Sequence, residues 1–501
     1  MSRNLEPLKN RKFDLLVIGG GINGAAIANI GARHGLSVAL LEKGDFASGT
    51  SSKSSKLVHG GIRYLETFEF HLVREALIER YIHLKEVPYL VKPIRFLIPI
   101  YEGDKRPLWM MKLGVFLYNL LAGKFNIGHH QNLNRQEVIA LEPFLKTEGL
   151  KGGVMYYDAQ MDDARLCLEN ILSAHEKGAQ TFNYLEVISI IKENGRAVGV
   201  LTRDVLNPEE RPFEVRTKKI VAAGGPWTNA LLKMDDRHAQ EKVRTTKGIH
   251  IVYPHQITPC ALLIPSSRDE RIFFVIPWMG NSLIGTTDTD FTGNPDQVAA
   301  DESDIQYLIE ESKRVFPDIP FDREGMITFA GLRPLVRSEG NPSDVSREHS
   351  IFETASGIIF VTGGKYTTYR PIALECLSRF ISVNKDEHYQ LYGSGDIREK
   401  PEEAAKKFGL EPGIVQALMD KYGTRYVDVL KLVEQNPTLG EIICSHSPII
   451  KAQIVYSIKT EMACTAEDII TRRLTVGYNA CVMKQCKGNF NHAVEELSSR
   501  A

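Results

Sequence analysis

Phe13-Asp-Leu-Leu-Val-Ile-Gly-Gly-Gly-Ile-Asn-Gly24 decides the fold, because in it an apolar strand runs straight into a glycine-rich turn. Gly19, Gly21 and Gly24 keep the G-x-G-x-x-G spacing. Each has a steric task there: the tight turn, the close approach of backbone to a pyrophosphate, and the packing of helix on strand. A helix opening near Ile22-Asn23 offers its unpaired backbone N–H groups to the phosphates, and it is rich in alanine (Ala25, Ala26, Ala28, Ala32). Leu36-Ser-Val-Ala-Leu-Leu-Glu42 then reads as a second parallel strand. It ends in a carboxylate about 20 residues on, where a ribose hydroxyl needs an acceptor. The unit specifies a dinucleotide and leaves NAD and FAD both open.

At 501 residues the chain exceeds what one hydrophobic core supports, which predicts two or three domains. Lys plus Arg number 61 against 62 Asp plus Glu, a balance that argues against a global electrostatic partner such as nucleic acid. The seven cysteines include no C-x-x-C pair, so neither a disulfide framework nor a zinc site is expected, and no metal, and a reducing compartment is. The polar first twelve residues lack the apolar core of a secretory signal. No apolar run reaches the roughly 18 residues of a membrane span. One segment, 108–122, is apolar on most faces and basic at both ends (Lys105, Arg106, Lys124). It reads either as a helix lying in the headgroup layer, with Trp109 and Tyr118 at the interface, or as a buried helix of a large domain.

Beyond Glu42, Ala47-Ser-Gly-Thr-Ser-Ser-Lys-Ser-Ser-Lys-Leu-Val-His-Gly-Gly-Ile-Arg-Tyr-Leu-Glu66 reads as an ordered cofactor loop. Its hydroxyls and ammonium groups can donate to phosphate oxygens, and its glycines let backbone approach a flat ring. Residues 66–89 are expected to be helical, and 92–150 to mix short strands with the apolar segment as an insertion. Asp162 or Asp163 is expected to cap a helix running through Glu176 to a stop at Gly178. Residues 180–187 read as a strand, and the next stretch as a hairpin about Asn194-Gly195. Lys219-Ile-Val-Ala-Ala-Gly-Gly-Pro-Trp227 is a strand ending in a glycine pair, a second close approach to a nucleotide. Residues 245–334 read as antiparallel sheet. Residues 357–370 repeat the sequence of strand, glycine turn and helix. From about Lys400 the pattern is helical and charged.

Taken together, Gly19-Gly-Gly-Ile-Asn-Gly-Ala25, Thr50-Ser-Ser-Lys-Ser-Ser-Lys-Leu-Val-His-Gly-Gly-Ile-Arg-Tyr-Leu-Glu66, Asp162-Asp-Ala-Arg-Leu166, Ala223-Gly-Gly-Pro-Trp227, Lys247-Gly-Ile-His250, Ile276-Pro-Trp278, Gly285-Thr-Thr-Asp288, Gly331-Leu-Arg-Pro-Leu335 and Gly363-Gly-Lys-Tyr-Thr-Thr-Tyr-Arg370 resemble the FAD-dependent glycerol-3-phosphate dehydrogenases, within the amino-acid-oxidase-like flavoenzymes. Glu461-Met-Ala-Cys-Thr-Ala-Glu-Asp-Ile-Ile-Thr-Arg-Arg473 resembles that family's helical cap. The resemblance implies an α/β fold with a Rossmann-like FAD-binding domain (1–75, 151–240 and 335–385), an antiparallel-sheet substrate domain (76–150 and 241–334) and a C-terminal helical cap (398–501).

The implied reaction oxidises sn-glycerol 3-phosphate to dihydroxyacetone phosphate by hydride transfer to FAD. The absence of a second G-x-G-x-x-G unit agrees with electrons coming from the substrate. FAD would be held by Gly19, Gly21, Ile22, Asn23, Gly24, Glu42, Thr50, Ser51, Ser54, Ser55, Lys56, His59, Val187, Gly224, Gly225 and Thr367. Substrate would meet Arg63, Tyr64, His250, Arg333, Arg347 and Lys365, whose cations suit a phosphate dianion. His250, preferred over His59, would take the C2 hydroxyl proton, with Arg333 and Lys365 stabilising alkoxide charge. Electrons would pass to a membrane quinone, with a cytoplasmic chain resting on the inner face of the cell membrane, its oligomeric state left open with a homodimer as the option. An oxygen-using glycerophosphate oxidase, a flavin amine or amino-acid oxidase, and a non-catalytic flavin-binding protein are the alternatives.

Overall fold

The computed structural model describes residues 1, 3–269, 271–337, 348–384 and 388–499. Its first sheet grows from the opening stretch. Strand Lys12–Ile18 lies parallel to Val38–Leu41 on one side and to Phe213–Ala222 on the other. Gln180–Phe182 extends the sheet beyond Val38–Leu41, and Ile359–Gly363 extends it beyond Phe213–Ala222, both in parallel. Leu15, Leu16 and Val17 are fully buried, as a continuous apolar run is when both faces of a parallel sheet are covered. The hairpin Leu185–Glu193 and Arg196–Asp204 turns on Asn194 and Gly195, both at positive φ, and its second strand joins the sheet edge on Phe213–Ala222. Helix Ile22–Arg33 packs against helices Asp163–Glu176 and Tyr369–Ser378. Asp162 caps helix Asp163–Glu176 by accepting from the Arg165 N–H at 3.1 Å.

A ten-stranded sheet forms the second layer. Strand Val243–Tyr253 runs antiparallel to Ile327–Val336 and to Asn281–Gly285, a register that sets His250 opposite Phe329 and Gly285, and Thr246 opposite Arg333. The region 92–150 departs from expectation. Val91–Tyr101 is one long strand, paired along its length with Leu150–Met161. Pro93 and Pro99 disguise it, because proline interrupts a strand pattern while an edge or pleat position can still accept it. Leu150–Met161 was not expected as a strand. It also pairs with Leu57–Val58 and so belongs to the second sheet.

Helices Pro401–Phe408, Pro412–Tyr422, Tyr426–Gln435, Lys451–Lys459 and Ala480–Ser498 gather round a separate core that includes Leu418, Leu430, Ile450, Ile454 and Phe490. A hairpin, Ile442–Cys444 with Ser447–Ile450, interrupts the helical pattern expected there. It carries a second correction, because Cys444 is joined to Cys486 of the last helix in a disulfide. The partners are 42 residues apart, so no short-range spacing announces the pair.

No helix among the described residues is long and apolar enough to cross a membrane. Helix Leu108–Ala122 is neither wholly buried nor wholly exposed. Val115, Tyr118 and Ala122 are buried, whereas Trp109 (65% exposed), Leu113 (49%), Phe116 (50%) and Leu120 (63%) form a stripe on the outer face. Tyr118 therefore does not stand at an interface. Its hydroxyl donates to Asp158 Oδ1 at 2.8 Å inside the protein, which satisfies the polar tip of a ring enclosed in the core that also holds Phe96, Val154 and Tyr156.

Candidate active site

The two sheets enclose a cavity of about 1760 Å³ that begins at the glycine turn. Gly19, Gly21, Ile22, Asn23 and Glu42 line this end. A Cβ on Gly24 would stand 1.9 Å from the Gly19 carbonyl oxygen, so helix and strand approach this closely only because no side chain is there. Glu42 Oε2 accepts from the Gly20 N–H at 2.7 Å, and Oε1 from the Gly44 N–H at 2.8 Å. Burial pushes its pKa up, against these two backbone donors.

The loop after Glu42 folds onto the turn. Ser51 Oγ accepts from the Ile22 N–H at 2.9 Å, Thr50 Oγ1 donates to the Leu332 carbonyl at 2.6 Å, and Ser54 Oγ donates to Asp163 Oδ2 at 2.6 Å. Val187, Gly224, Gly225 and His59 also line the cavity. Thr367, another lining residue, accepts from the His59 N–H at 3.2 Å. Lys56 is not brought to the cavity. Its Nζ donates to Asp163 Oδ1 and to the Ser52 carbonyl, both at 2.7 Å, from a fully enclosed position. A buried ammonium without such partners would cost several kcal/mol, about 3–5 by analogy with broken buried pairs. Lys53 is the loop lysine that lines the cavity, and its Nζ donates to the Tyr478 hydroxyl at 2.8 Å. Desolvation, then Arg472, holds the Lys53 pKa below its ordinary value.

At the far end the cavity meets Arg63, Tyr64, His250, Arg333 and Lys365. Lys365 Nζ sits 3.6 Å from the centre of the Tyr64 ring, a cation–π contact. Arg333 donates from Nη2 to Thr286 Oγ1 at 2.9 Å and pairs through Nη1 with Asp288 at 3.1 Å. Gly248 makes room for that guanidinium, since a Cβ there would lie 2.4 Å from Nη2. The His250 ring stacks on Phe329 with centres 4.9 Å apart, and Nε2 is hydrogen-bonded to Ser55 Oγ at 2.8 Å. Its Nδ1 is buried and has no hydrogen-bond partner among the described residues. Burial first, then the charges of Arg333 and Lys56, depress its pKa well below the ordinary value, so the imidazole is neutral near neutral pH. Arg347 lies outside the described residues.

Arg271, Glu467 and Arg472 also line the cavity. Glu467 and Arg472 lie in the stretch that resembles the family's helical cap, but nothing in its spacing along the chain places them at the site, and Arg271 carries no motif signal. Arg472 and Arg473 belong to the C-terminal unit and close on Asp45, just past Glu42: Arg472 Nε donates to Oδ2 at 2.6 Å, and Arg473 Nη1 and Nη2 donate to Oδ2 and Oδ1 at 2.7 and 2.8 Å. Burial pushes the Asp45 pKa up, but the two guanidinium groups more than offset it and hold the carboxyl below its usual range. The C-terminal unit is thereby fastened to the nucleotide end.

This arrangement fits FAD. The Gly19–Gly24 cradle admits a pyrophosphate, Glu42 can accept from a ribose hydroxyl, and the cavity continues far enough to set a ring system beside the His250 cluster.

Residues 14–370 match the family profile of FAD dependent oxidoreductases, and residues 385–488 match that of the C-terminal domain of alpha-glycerophosphate oxidase. The chain is 37% identical to a glycerol-3-phosphate dehydrogenase of Synechocystis sp., over 95% of this chain and 90% of that one. It is 34% identical to an aerobic glycerol-3-phosphate dehydrogenase of Staphylococcus saprophyticus, over 93% and 87%. The crystal structure of the glycerol-3-phosphate dehydrogenase from Bacillus halodurans complexed with FAD superposes with a TM-score of 0.79 at 29% identity, covering 99% of this chain and 92% of that one.

Proposed function

The chain belongs to the FAD-dependent glycerol-3-phosphate dehydrogenases, and on that premise we propose how its residues oxidise sn-glycerol 3-phosphate to dihydroxyacetone phosphate and where the electrons go. The observation that carries the proposal is one cavity joining the dinucleotide turn to Arg63, His250, Arg333 and Lys365. FAD, when bound, supplies the acceptor for the hydride that leaves C2.

The cavity's side chains do the remaining work. Arg63 and Lys365 hold the phosphate dianion, and Arg333, kept in place by Asp288 and Thr286, attracts the developing alkoxide. His250 takes the C2 hydroxyl proton, and burial with the neighbouring cations favours its neutral form. Ser55 holds the ring through Nε2, which fixes its orientation.

The acceptor of the second half-reaction is a membrane quinone. Supporting this, the lining of the cavity runs out to Glu66, Thr67, Glu69 and Arg106, and Arg106 is paired with Glu66 at the base of the helix that carries the Trp109–Leu120 stripe. Exposed Lys105 and Lys124 flank the stripe, with Phe68 (76% exposed) in the adjoining loop. Apolar residues ringed by lysines suit the headgroup layer of an anionic bilayer.

The test is the anaerobic visible spectrum of the holoprotein before and after sn-glycerol 3-phosphate, with glycine, sarcosine and NADH as comparisons. Bleaching of the flavin bands by glycerol 3-phosphate alone is expected. Bleaching by an amine, or by nothing, overturns the proposal. Faster reoxidation by a quinone than by oxygen is expected next, and the reverse would make the protein an oxidase. Flotation with anionic vesicles at low salt should carry the protein up, and Phe116→Glu with Leu120→Glu should leave it at the bottom.

A further inference from the structure

The hairpin that interrupts the C-terminal helices presents Cys444 and His446 on its turn, and the last helix presents Cys486 to the same point. His446 Nδ1 lies 3.6 Å from Cys444 Sγ and 3.5 Å from Cys486 Sγ, and all three ligand atoms fall within 4.8 Å of one another. None of the three lines the cavity described above. We propose that in the reduced chain these residues form a binding site for a soft divalent metal ion, zinc being the first candidate.

Two sulfurs and an imidazole are the ligand set such ions prefer over calcium or magnesium. The spacing agrees. Metal–sulfur and metal–nitrogen bonds of about 2.3 and 2.0 Å at a tetrahedral angle place sulfur and nitrogen roughly 3.5 Å apart. The His446 backbone N–H points at Cys444 Sγ from 3.4 Å, a contact that favours the thiolate needed for ligation. Both cysteines are buried while His446 is exposed, so a fourth position can open to water. Asn489, on the same helix as Cys486, donates to the Ile443 carbonyl at 3.3 Å and ties that helix to the hairpin.

In the structure the two sulfurs are bonded to each other, so the site exists only after reduction. A phosphine with one water molecule supplies two electrons and two protons, cleaving the S–S bond to two thiols and becoming its oxide. Metal binding then releases the two thiol protons as the metal–sulfur bonds form.

The test uses the full-length holoprotein, reduced with a phosphine, stripped by a chelator and titrated with Co²⁺. Binding is read from the tetrahedral d–d band, at wavelengths beyond the flavin absorption, and from displacement of the band by Zn²⁺. One ion per chain is expected for the native protein, none after reoxidation, and loss of the band in Cys486→Ser. His446→Gln, on the exposed turn, guards against a variant that merely fails to fold. It should keep native flavin content and lose the tetrahedral band. Absence of the band in the reduced native protein, or a band that survives both substitutions, overturns the proposal.

Discussion

At the nucleotide end of the cavity the glycine turn and Glu42 all fall within residues 19–42, and they work through backbone geometry. At the reacting end Arg63, His250, Arg333 and Lys365 come from four separate segments and work through side-chain charge. The first end tolerates no added volume at Gly19 or Gly24, where a Cβ would meet backbone at 2.5 and 1.9 Å, because its function is close approach. The second tolerates volume in places but not a change of chemistry. Lesions at the first end should therefore remove the cofactor, and lesions at the second should leave the cofactor and slow the reaction.

Gly24→Val breaks the comparison most severely. With Cβ 1.9 Å from the Gly19 carbonyl oxygen, strand and helix must separate, an overpacking cost of at least about 1–3 kcal/mol. The purified variant should be almost free of flavin, as read from the ratio of flavin to protein absorbance. Full occupancy would refute the close-approach role.

His250→Ala should retain flavin and lower the anaerobic rate of flavin reduction at saturating substrate by about 10²–10⁴-fold, the usual worth of a positioned base. An unchanged rate would remove His250 from the mechanism. Arg333→Gln should cost about 1.5–3 kcal/mol in charge-assisted bonding, roughly 10–100-fold in kcat/KM. Because Arg333 helps depress the His250 pKa, the acid limb of the rate profile should also move to higher pH. A loss of kcat/KM without that movement would separate the two residues.

The smallest effect is on stability. The folded His250 pKa is depressed below its ordinary 6.5, so the unfolded chain binds that proton first. Its contribution is complete above about pH 6.5 and is lost as pH falls, by at most about 1.4 kcal/mol per pH unit. His250→Gln should flatten that limb in denaturant titrations between pH 6.5 and 5, and an unaltered slope would contradict the burial argument.

How much of each end could be read in advance follows the same division. Gly19, Gly21, Gly24 and Glu42 are legible through fixed spacing along the chain; Gly19, Gly21 and Glu42 line the cavity, and Gly24 packs against the Gly19 carbonyl. Asn194-Gly195 and the Asp162 cap are local signals of the same kind. The strand Val91–Tyr101 was hidden by its prolines, and the hairpin Ile442–Cys444 with Ser447–Ile450 by the helices around it. Lys53 and Lys56 stand three residues apart in one Ser-rich loop, and nothing in that loop tells which faces the cavity.

By itself, then, the sequence determined the dinucleotide unit, because a glycine turn and an acid at set distance are demands of covalent geometry and sterics that neighbouring residues satisfy alone. Tertiary structure alone decided three things. The register of Val243–Tyr253 against Ile327–Val336 brings His250 and Arg333 to one cavity. Asp163 draws Lys56 into the interior and leaves Lys53 at the wall. Arg472 and Arg473, more than 400 residues away, close on Asp45. In each case the deciding term is the desolvation of a charge or ring balanced by a partner, and that partner is set by packing rather than by distance along the chain.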